Sequence, residues 1–213
     1  MITLNDDQPP DTWSDLGPGM EQFHHPRPVS RGRRPTPARE SLMAGLSGAV
    51  VEIGAGDGVK FRFYPAEVHE ITAVESHPIL CDTARQGCQG ARVPVRVVTG
   101  TPGALPIPDG SADAVVCSLT LCSVPRPDEA LREIMRVLRR GGEFRFYEHI
   151  RSANPLMALA QRLVGPIWSR AAGGCRPARD PVRSIVAAGF VLDRIDRSDF
   201  DRIPHVLGAA RRP

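Results

Sequence analysis

The stretch VVEIGAGDG, residues 50–58, constrains the fold more than any other. A run of β-branched and apolar residues passes without a break into a turn with glycine at every second position. Such a strand-to-turn junction builds the first unit of an open, mostly parallel α/β sheet, and it brings bare backbone up to a ligand. Three ligand types use turns of this kind, and spacing separates them. A dinucleotide turn, G-x-G-x-x-G or -A, needs a small residue at position 59, which is Val59. A triphosphate loop, G-x-x-x-x-G-K-S/T, also needs glycine there, and Lys60 followed by Phe61 does not restore the pattern. What remains is a turn that admits a bulky nucleoside without gripping a chain of phosphates.

Acidic residues flank the turn. Glu52 precedes it, where a carboxylate can orient the loop or meet the cationic end of a ligand. Glu75 closes the second apolar run about 20 residues on, where an acid accepts hydrogen bonds from both ribose hydroxyls and repels a 2′-phosphate. Val98–Thr101 ends the third strand, where an adenine ring would lie, and the Pro/Gly/Asp-rich residues 105–113 turn into a fourth strand.

The rest of the chain continues the alternation. Strands are predicted at Val50–Ile53, Ile71–Val74, Val95–Val98, Ala114–Cys117 and Glu143–Glu148, followed by a closing pair at Phe190–Ile195 and His205–Ala210. Helices are predicted at about Pro37–Gly45, directly after the glycine turn, and at Pro78–Gln86, Pro127–Arg139, Pro155–Trp168 and Asp180–Ala188. The clearest is Pro127–Arg139, with Asp128 and Glu129 in its first turn, basic residues in its last, and Gly141-Gly142 as its stop signal. The expected architecture is a doubly wound, Rossmann-like α/β sheet, mostly parallel with a final antiparallel strand. It forms one domain over residues 38–213, preceded by an irregular Pro/Arg-rich arm at 1–37.

Composition excludes several classes. Net charge is +3 and the positive charge is almost all arginine, Lys60 being the only lysine in the sequence. The basic run Arg27, Arg31, Arg33, Arg34 and Arg39 is interrupted by prolines and carries no aromatics, so it reads as a solvated arm rather than a nucleic-acid surface. No apolar stretch is long enough to span a membrane and no signal peptide is evident, so a cytoplasmic protein is expected. The five cysteines (81, 88, 117, 122 and 175) form no CxxC pair. They read as reduced, mostly buried thiols, with no metal expected.

Taken together, VVEIGAGDG, the acid at Glu75, LPIPDGSADAVVCSLTLCSV and EALREIMRVLRRGGEFRFYEH resemble the class I S-adenosylmethionine-dependent methyltransferases. FRFYP, LCSV, YEH, GGCRPARD and PHVLGAA are similar to the methyltransferase-like branch that includes animal thiol S-methyltransferases. That branch is distantly related to the ubiquinone/menaquinone C-methyltransferases. The resemblance covers about residues 46–211. It implies that Glu52, Gly54, Ala55 and Gly56 face the methionine part of S-adenosylmethionine and that Glu75 binds the ribose. It further implies that Ser76, Thr101 and Pro102 border the adenine and that Leu119 lies near the sulfonium. Many class members carry an Asp where this chain has Thr101, and an aromatic-rich first helix where this chain has four prolines.

Methyl transfer from a sulfonium is an in-line displacement in which a protein mainly aligns the partners and excludes water. A small-molecule thiol, partly ionised at neutral pH and strongly nucleophilic, is the preferred acceptor. Oxygen or carbon acceptors, and a non-catalytic cofactor-binding protein of the same fold, are the alternatives. His149 and Cys122 are the candidate catalytic residues, since both follow strands at the ligand-binding end of the sheet. Tyr64, Ser123, Trp168, Arg176 and Asp180 are the candidate acceptor residues, and His205 is expected to approach from the closing strands.

Overall fold

The computed structural model describes residues 37–200 and 203–213, so nearly all of the expected arm lies outside the described residues. Seven strands form one sheet: β1 (Gly48–Ile53), β2 (Val68–Glu75), β3 (Val95–Thr99), β4 (Ala112–Ser118), β5 (Leu138–His149), β6 (Val191–Phe200) and β7 (Ile203–Arg211). Their order is β3-β2-β1-β4-β5-β7-β6. The first five run parallel, while β7 is antiparallel to both β5 and β6. The chain winds outward from β1 in one direction and from β4 in the other, so the topological switch lies between β1 and β4. Ligands of open α/β sheets enter there, beyond the carboxyl ends of the strands.

The central strands are apolar because both faces are covered. On one face Val51, Ile53, Val115, Cys117, Phe144 and Phe146 pack with Leu131, Ile134 and Ile185 from α3 (Pro127–Val137) and α5 (Pro181–Ala187). On the other, Val50, Ile71, Ala73 and Val116 pack with Leu42 and Met43 of α1 (Pro37–Met43), Ala84 of α2 (Pro78–Gly87), and Phe61 and Tyr64. The remaining helix, α4 (Pro155–Ala171), contributes no buried side chain; Leu156, Leu163 and Ile167 are each at least 70% exposed. No helix among the described residues is long and apolar enough to cross a membrane.

Two sequence expectations are corrected. No α-helix follows the glycine turn: only a single 3-10 turn at Phe61–Phe63 forms before the extended Tyr64 and Pro65. A proline four residues after Phe61 removes a helix donor and forces the residue before it out of helical backbone. Gly141-Gly142 does not stop α3 either. The helix ends at Val137, Leu138 is fully buried in β5, and the two glycines fall inside that strand. The pairing there jumps from Ala112↔Leu138 to Ala114↔Glu143, and Gly141 takes a φ of +72° while donating its N–H to Arg212 O. The signal that reads as a helix stop is a β-bulge, because burying Leu138 in the sheet outweighs extending the helix by Leu138 and Arg139.

Candidate active site

Three consecutive loops build one concave end of the sheet. After β1, Gly54 and Gly56 take φ values of +73° and +62°. A side chain at Gly54 would put its Cβ 2.6 Å from Thr120 Oγ1, so the close approach of the β1 and β4 loops requires glycine. At Gly56 an added Cβ would meet nothing within 4 Å: its backbone faces open space that a ligand atom can fill.

The carboxylate of Glu75, only 3% exposed, ties this turn to the end of β2. Its Oε2 accepts from Gly56 N at 2.9 Å, and its Oε1 accepts from Ser76 N and His77 N at 2.8 and 3.0 Å. Gly100 N donates to Glu75 O at 3.1 Å and draws the loop carrying the half-buried Thr101 and Pro102 to the same rim. Beneath the turn, Glu52 is fully buried, ion-paired with Lys60 Nζ at 2.6 Å and hydrogen-bonded by Tyr64 O–H at 2.8 Å. Burial, reinforced by the adjacent Glu52 charge, pushes the Tyr64 phenol well above its ordinary range. Tyr64, expected on the acceptor side, is 1% exposed and belongs to the packed base of the turn, where it supports Glu52.

These residues fit S-adenosylmethionine. The open backbone face at Gly56 admits a bulky group, and two carboxylates flank the turn. With no α-helix starting at the turn, the usual electrostatic anchor for phosphates is missing.

The loop after β4 holds the second half of the site. Leu119 sits at φ +59°, an unfavourable backbone for a branched residue, and donates its N–H to Tyr147 O at 2.7 Å. Thr120 Oγ1 donates to Ile53 O at 2.9 Å and stitches this loop to the glycine turn. The fully buried Glu148 organises the rest: Oε1 accepts from Thr120 N and Leu121 N at 3.0 and 2.9 Å, and Oε2 from Cys122 N at 3.0 Å. Burial outweighs those three amides and raises the carboxyl above its ordinary value. From the far side, Arg179 donates to Leu121 O and Val124 O, and Arg176 N donates to Cys122 O.

This clamp gathers three soft donors. Cys122 Sγ lies 3.5 Å from His149 Nδ1, Cys175 Sγ lies 3.2 Å from the same nitrogen, and the two sulfurs are 3.8 Å apart. All three residues are buried; all five cysteines are free thiols, four of them buried and Cys88 half-exposed. The neighbouring Cys122 and the His149 imidazole draw the Cys175 thiol down to about 4 against the cost of burial, while contact with Cys175 and burial push Cys122 up. His205 pairs with His149 across β5 and β7, its ring centroid 4.5 Å away, and donates Nδ1–H to Ile203 O at 2.7 Å.

Of the other expected acceptor residues, Ser123 Oγ lies 3.6 Å from Cys122 Sγ, and the buried Trp168 indole nitrogen borders Cys175. Arg176 is exposed and lines a cavity of about 500 Å³ with Arg162, Ser169 and Pro177. Asp180 caps α5 by accepting from Arg183 N at 3.1 Å. Glu148, Arg179 and Cys175 build the site without a local sequence signal of that role. Only the motifs YEH and GGCRPARD carry them, and 53 residues separate Cys175 from Cys122.

A family model described as a methyltransferase domain matches residues 51–146, from the glycine turn through β4 and into β5. Human thiol S-methyltransferase TMT1B is 30% identical over 201 residues, covering 86% of this chain and 81% of its own. Human thiol S-methyltransferase TMT1A is 33% identical over 156 residues, covering 69% of this chain; the match spans only 62% of that relative's length. A crystal structure of a Bacillus halodurans protein superimposes with a TM-score of 0.70 at 18% identity, over 83% of this chain and 98% of that one, a likeness of fold.

Proposed function

The chain belongs to the class I S-adenosylmethionine-dependent methyltransferases, and we propose that it methylates the sulfur of a small-molecule thiol. The observation that carries the acceptor is the buried pair of sulfurs and imidazole at Cys122, His149 and Cys175. It is built into the very loop that touches the glycine turn. The similarity to two human thiol S-methyltransferases supports the same reading.

When bound, S-adenosylmethionine supplies a methyl group on a positively charged sulfur, already activated for displacement. Gly54, Ala55 and Gly56 hold its methionine part on bare backbone, with Glu52 fixing the turn from below. Glu75 receives the ribose hydroxyls, and Ser76, Thr101 and Pro102 border the adenine. Thr101, lacking a carboxylate, leaves recognition of the ring to backbone atoms. Leu119, held at its strained φ by the Tyr147 carbonyl, keeps the β4 loop close to the reacting end.

The acceptor side falls to Cys122, His149, Ser123 and Trp168, with Arg176 and Asp180 farther out on the same rim. A thiol needs little help to ionise, so these residues align its sulfur and favour its anion rather than perform strong base catalysis. Alignment and exclusion of water are worth several kcal/mol in reactions of this type.

The test has two arms. Calorimetry with S-adenosylhomocysteine should give saturable binding at one site per chain. Methyl transfer should then appear with alkyl and aryl thiols and be weak or absent with matched phenols. Turnover restricted to oxygen acceptors would overturn the thiol assignment.

A further inference from the structure

We propose that Cys122, His149 and Cys175 form a zinc site with three protein ligands, whose fourth position receives the acceptor as its thiolate. The proposal rests on the thiol reading for the identity of that fourth ligand, and on the geometry alone for the metal.

The separations match those between the ligands of a tetrahedral zinc ion. With Zn–S near 2.3 Å and Zn–N near 2.0–2.1 Å, ligands at tetrahedral angles stand about 3.8 Å apart for two sulfurs and about 3.6 Å for sulfur and nitrogen. The corresponding separations are 3.8 Å between Cys122 and Cys175, and 3.5 and 3.2 Å from each sulfur to His149 Nδ1. A disulfide would need its sulfurs near 2.05 Å. Two cysteine sulfurs with one imidazole select zinc over the hard divalent cations. One ligand comes from the loop after β4, one from the end of β5 and one from the α4–α5 connection, so three separately anchored segments converge on a point.

The surroundings hold those segments in position, as metal ligands require. Glu148 fixes the Cys122 backbone through its amide, and Arg176 N–H fixes it through its carbonyl. His205 packs against the His149 ring and donates Nδ1–H to Ile203 O; among the described residues the metal-binding donors that converge are those of Cys122, His149 and Cys175. Three protein ligands are the mark of a site that keeps a position for substrate, whereas structural zinc is held by four. Thr120, two residues from Cys122, donates to Ile53 O at the glycine turn, so one short loop serves both the three-donor cluster and the cofactor turn. Binding a thiol there releases its proton to solvent and leaves a thiolate on the ion, favouring the anion without a strong base.

The experiment uses the full chain, purified under reducing conditions and stripped with a chelator. Zinc is titrated in competition with a chromophoric chelator, and cobalt is followed by absorbance. One equivalent of each metal should bind, cobalt giving thiolate charge-transfer and tetrahedral visible bands. Cys122→Ser and Cys175→Ser should each weaken affinity by more than the 10–100-fold that a change outside the ligand set costs, while Cys88→Ser should leave it unchanged. Adding 2-mercaptoethanol to the cobalt form should strengthen the charge-transfer band.

Absent stoichiometric binding, or binding indifferent to both serine substitutions, overturns the site. So does a mass two units low, which marks a Cys122–Cys175 disulfide in place of the metal. A cobalt spectrum unmoved by added thiol overturns the fourth position. If the thiol perturbs cobalt but no thiol is ever methylated, the metal site stands and the acceptor reading fails.

Discussion

The ion pair beneath the glycine turn offers the sharpest test of how this turn is held. Glu52 is fully buried, Lys60 is 9% exposed at its side chain, and their charged atoms are 2.6 Å apart. Lys60→Met keeps most of the volume and leaves the carboxylate buried with only the Tyr64 hydroxyl. Removing one partner of a buried pair costs about 3–5 kcal/mol, whereas replacing both by neutral groups of similar size is often close to neutral. At about 2–4 °C per kcal/mol for a chain of this size, Lys60→Met should lower Tm by roughly 6–12 °C even if the cost is only about 3 kcal/mol. Glu52→Gln should cost less, about 2 kcal/mol, because the amide oxygen still accepts from Tyr64 and the ammonium can lean toward Gly54 O, 3.5 Å away. The double variant should cost clearly less than the sum, giving a coupling energy of at least about 1.5 kcal/mol. Urea titrations of all four proteins, monitored by circular dichroism at fixed m-value, supply the cycle. Additive effects, or a Lys60→Met cost below about 1 kcal/mol, would refute the view that this pair supports the turn.

Gly54→Ala should destabilise the fold by about 1–2 kcal/mol from backbone strain alone, and more from the contact with Thr120; adding Thr120→Ala should restore only the second part, as read in thermal melts. Gly56→Ala carries similar strain but meets no protein atom, so its distinctive effect should be at least a tenfold loss of S-adenosylhomocysteine affinity by calorimetry. Equal affinity would show that the open face at Gly56 is not where the cofactor sits. Glu133 is held below the ordinary carboxylate range chiefly by Arg136. The unfolded chain takes up that proton first, so the pair contributes stability at neutral pH that disappears as pH falls through and below the usual carboxylate values. Glu133→Gln should therefore cost about 1 kcal/mol at pH 7 and flatten the acid limb of the stability profile; an acid limb parallel to the parent's would sink the assignment.

How far the sequence carries depends on the range of the interactions involved. β1 to β4 are legible because a strand buried on both faces must be apolar throughout, and Pro127 with Asp128 and Glu129 marks the start of α3 by local electrostatics alone. The family resemblance and the doubly wound sheet follow from those local signals; the similar sequences agree with the first and the solved structure with the second. The bulge at Gly141 is illegible for the opposite reason: whether a double glycine ends a helix or kinks a strand depends on where Leu138 is buried, which is a property of the sheet. The missing helix after the turn was within reach, since Pro65 stands where a longer helix would need a donor. Tyr64 looked available to an acceptor because nothing local reveals that its hydroxyl is spent on Glu52. Cys175 is the extreme case, since no spacing rule links it to residues 122 and 149; only the fold brings the three together.

Lys60 has one more consequence. It is the sole lysine of the sequence and it is 7% exposed, tucked under the turn. A lysine-specific protease therefore has a single peptide bond to cut, and it can reach that bond only when the turn opens. Where opening and reclosing are fast relative to cleavage, the rate of scission counts the open population. A ligand that binds only the closed turn slows scission by a factor of 1 + [L]/Kd. The chain thus carries its own reporter: two fragments on a gel, appearing at a rate set by how tightly its nucleoside is held.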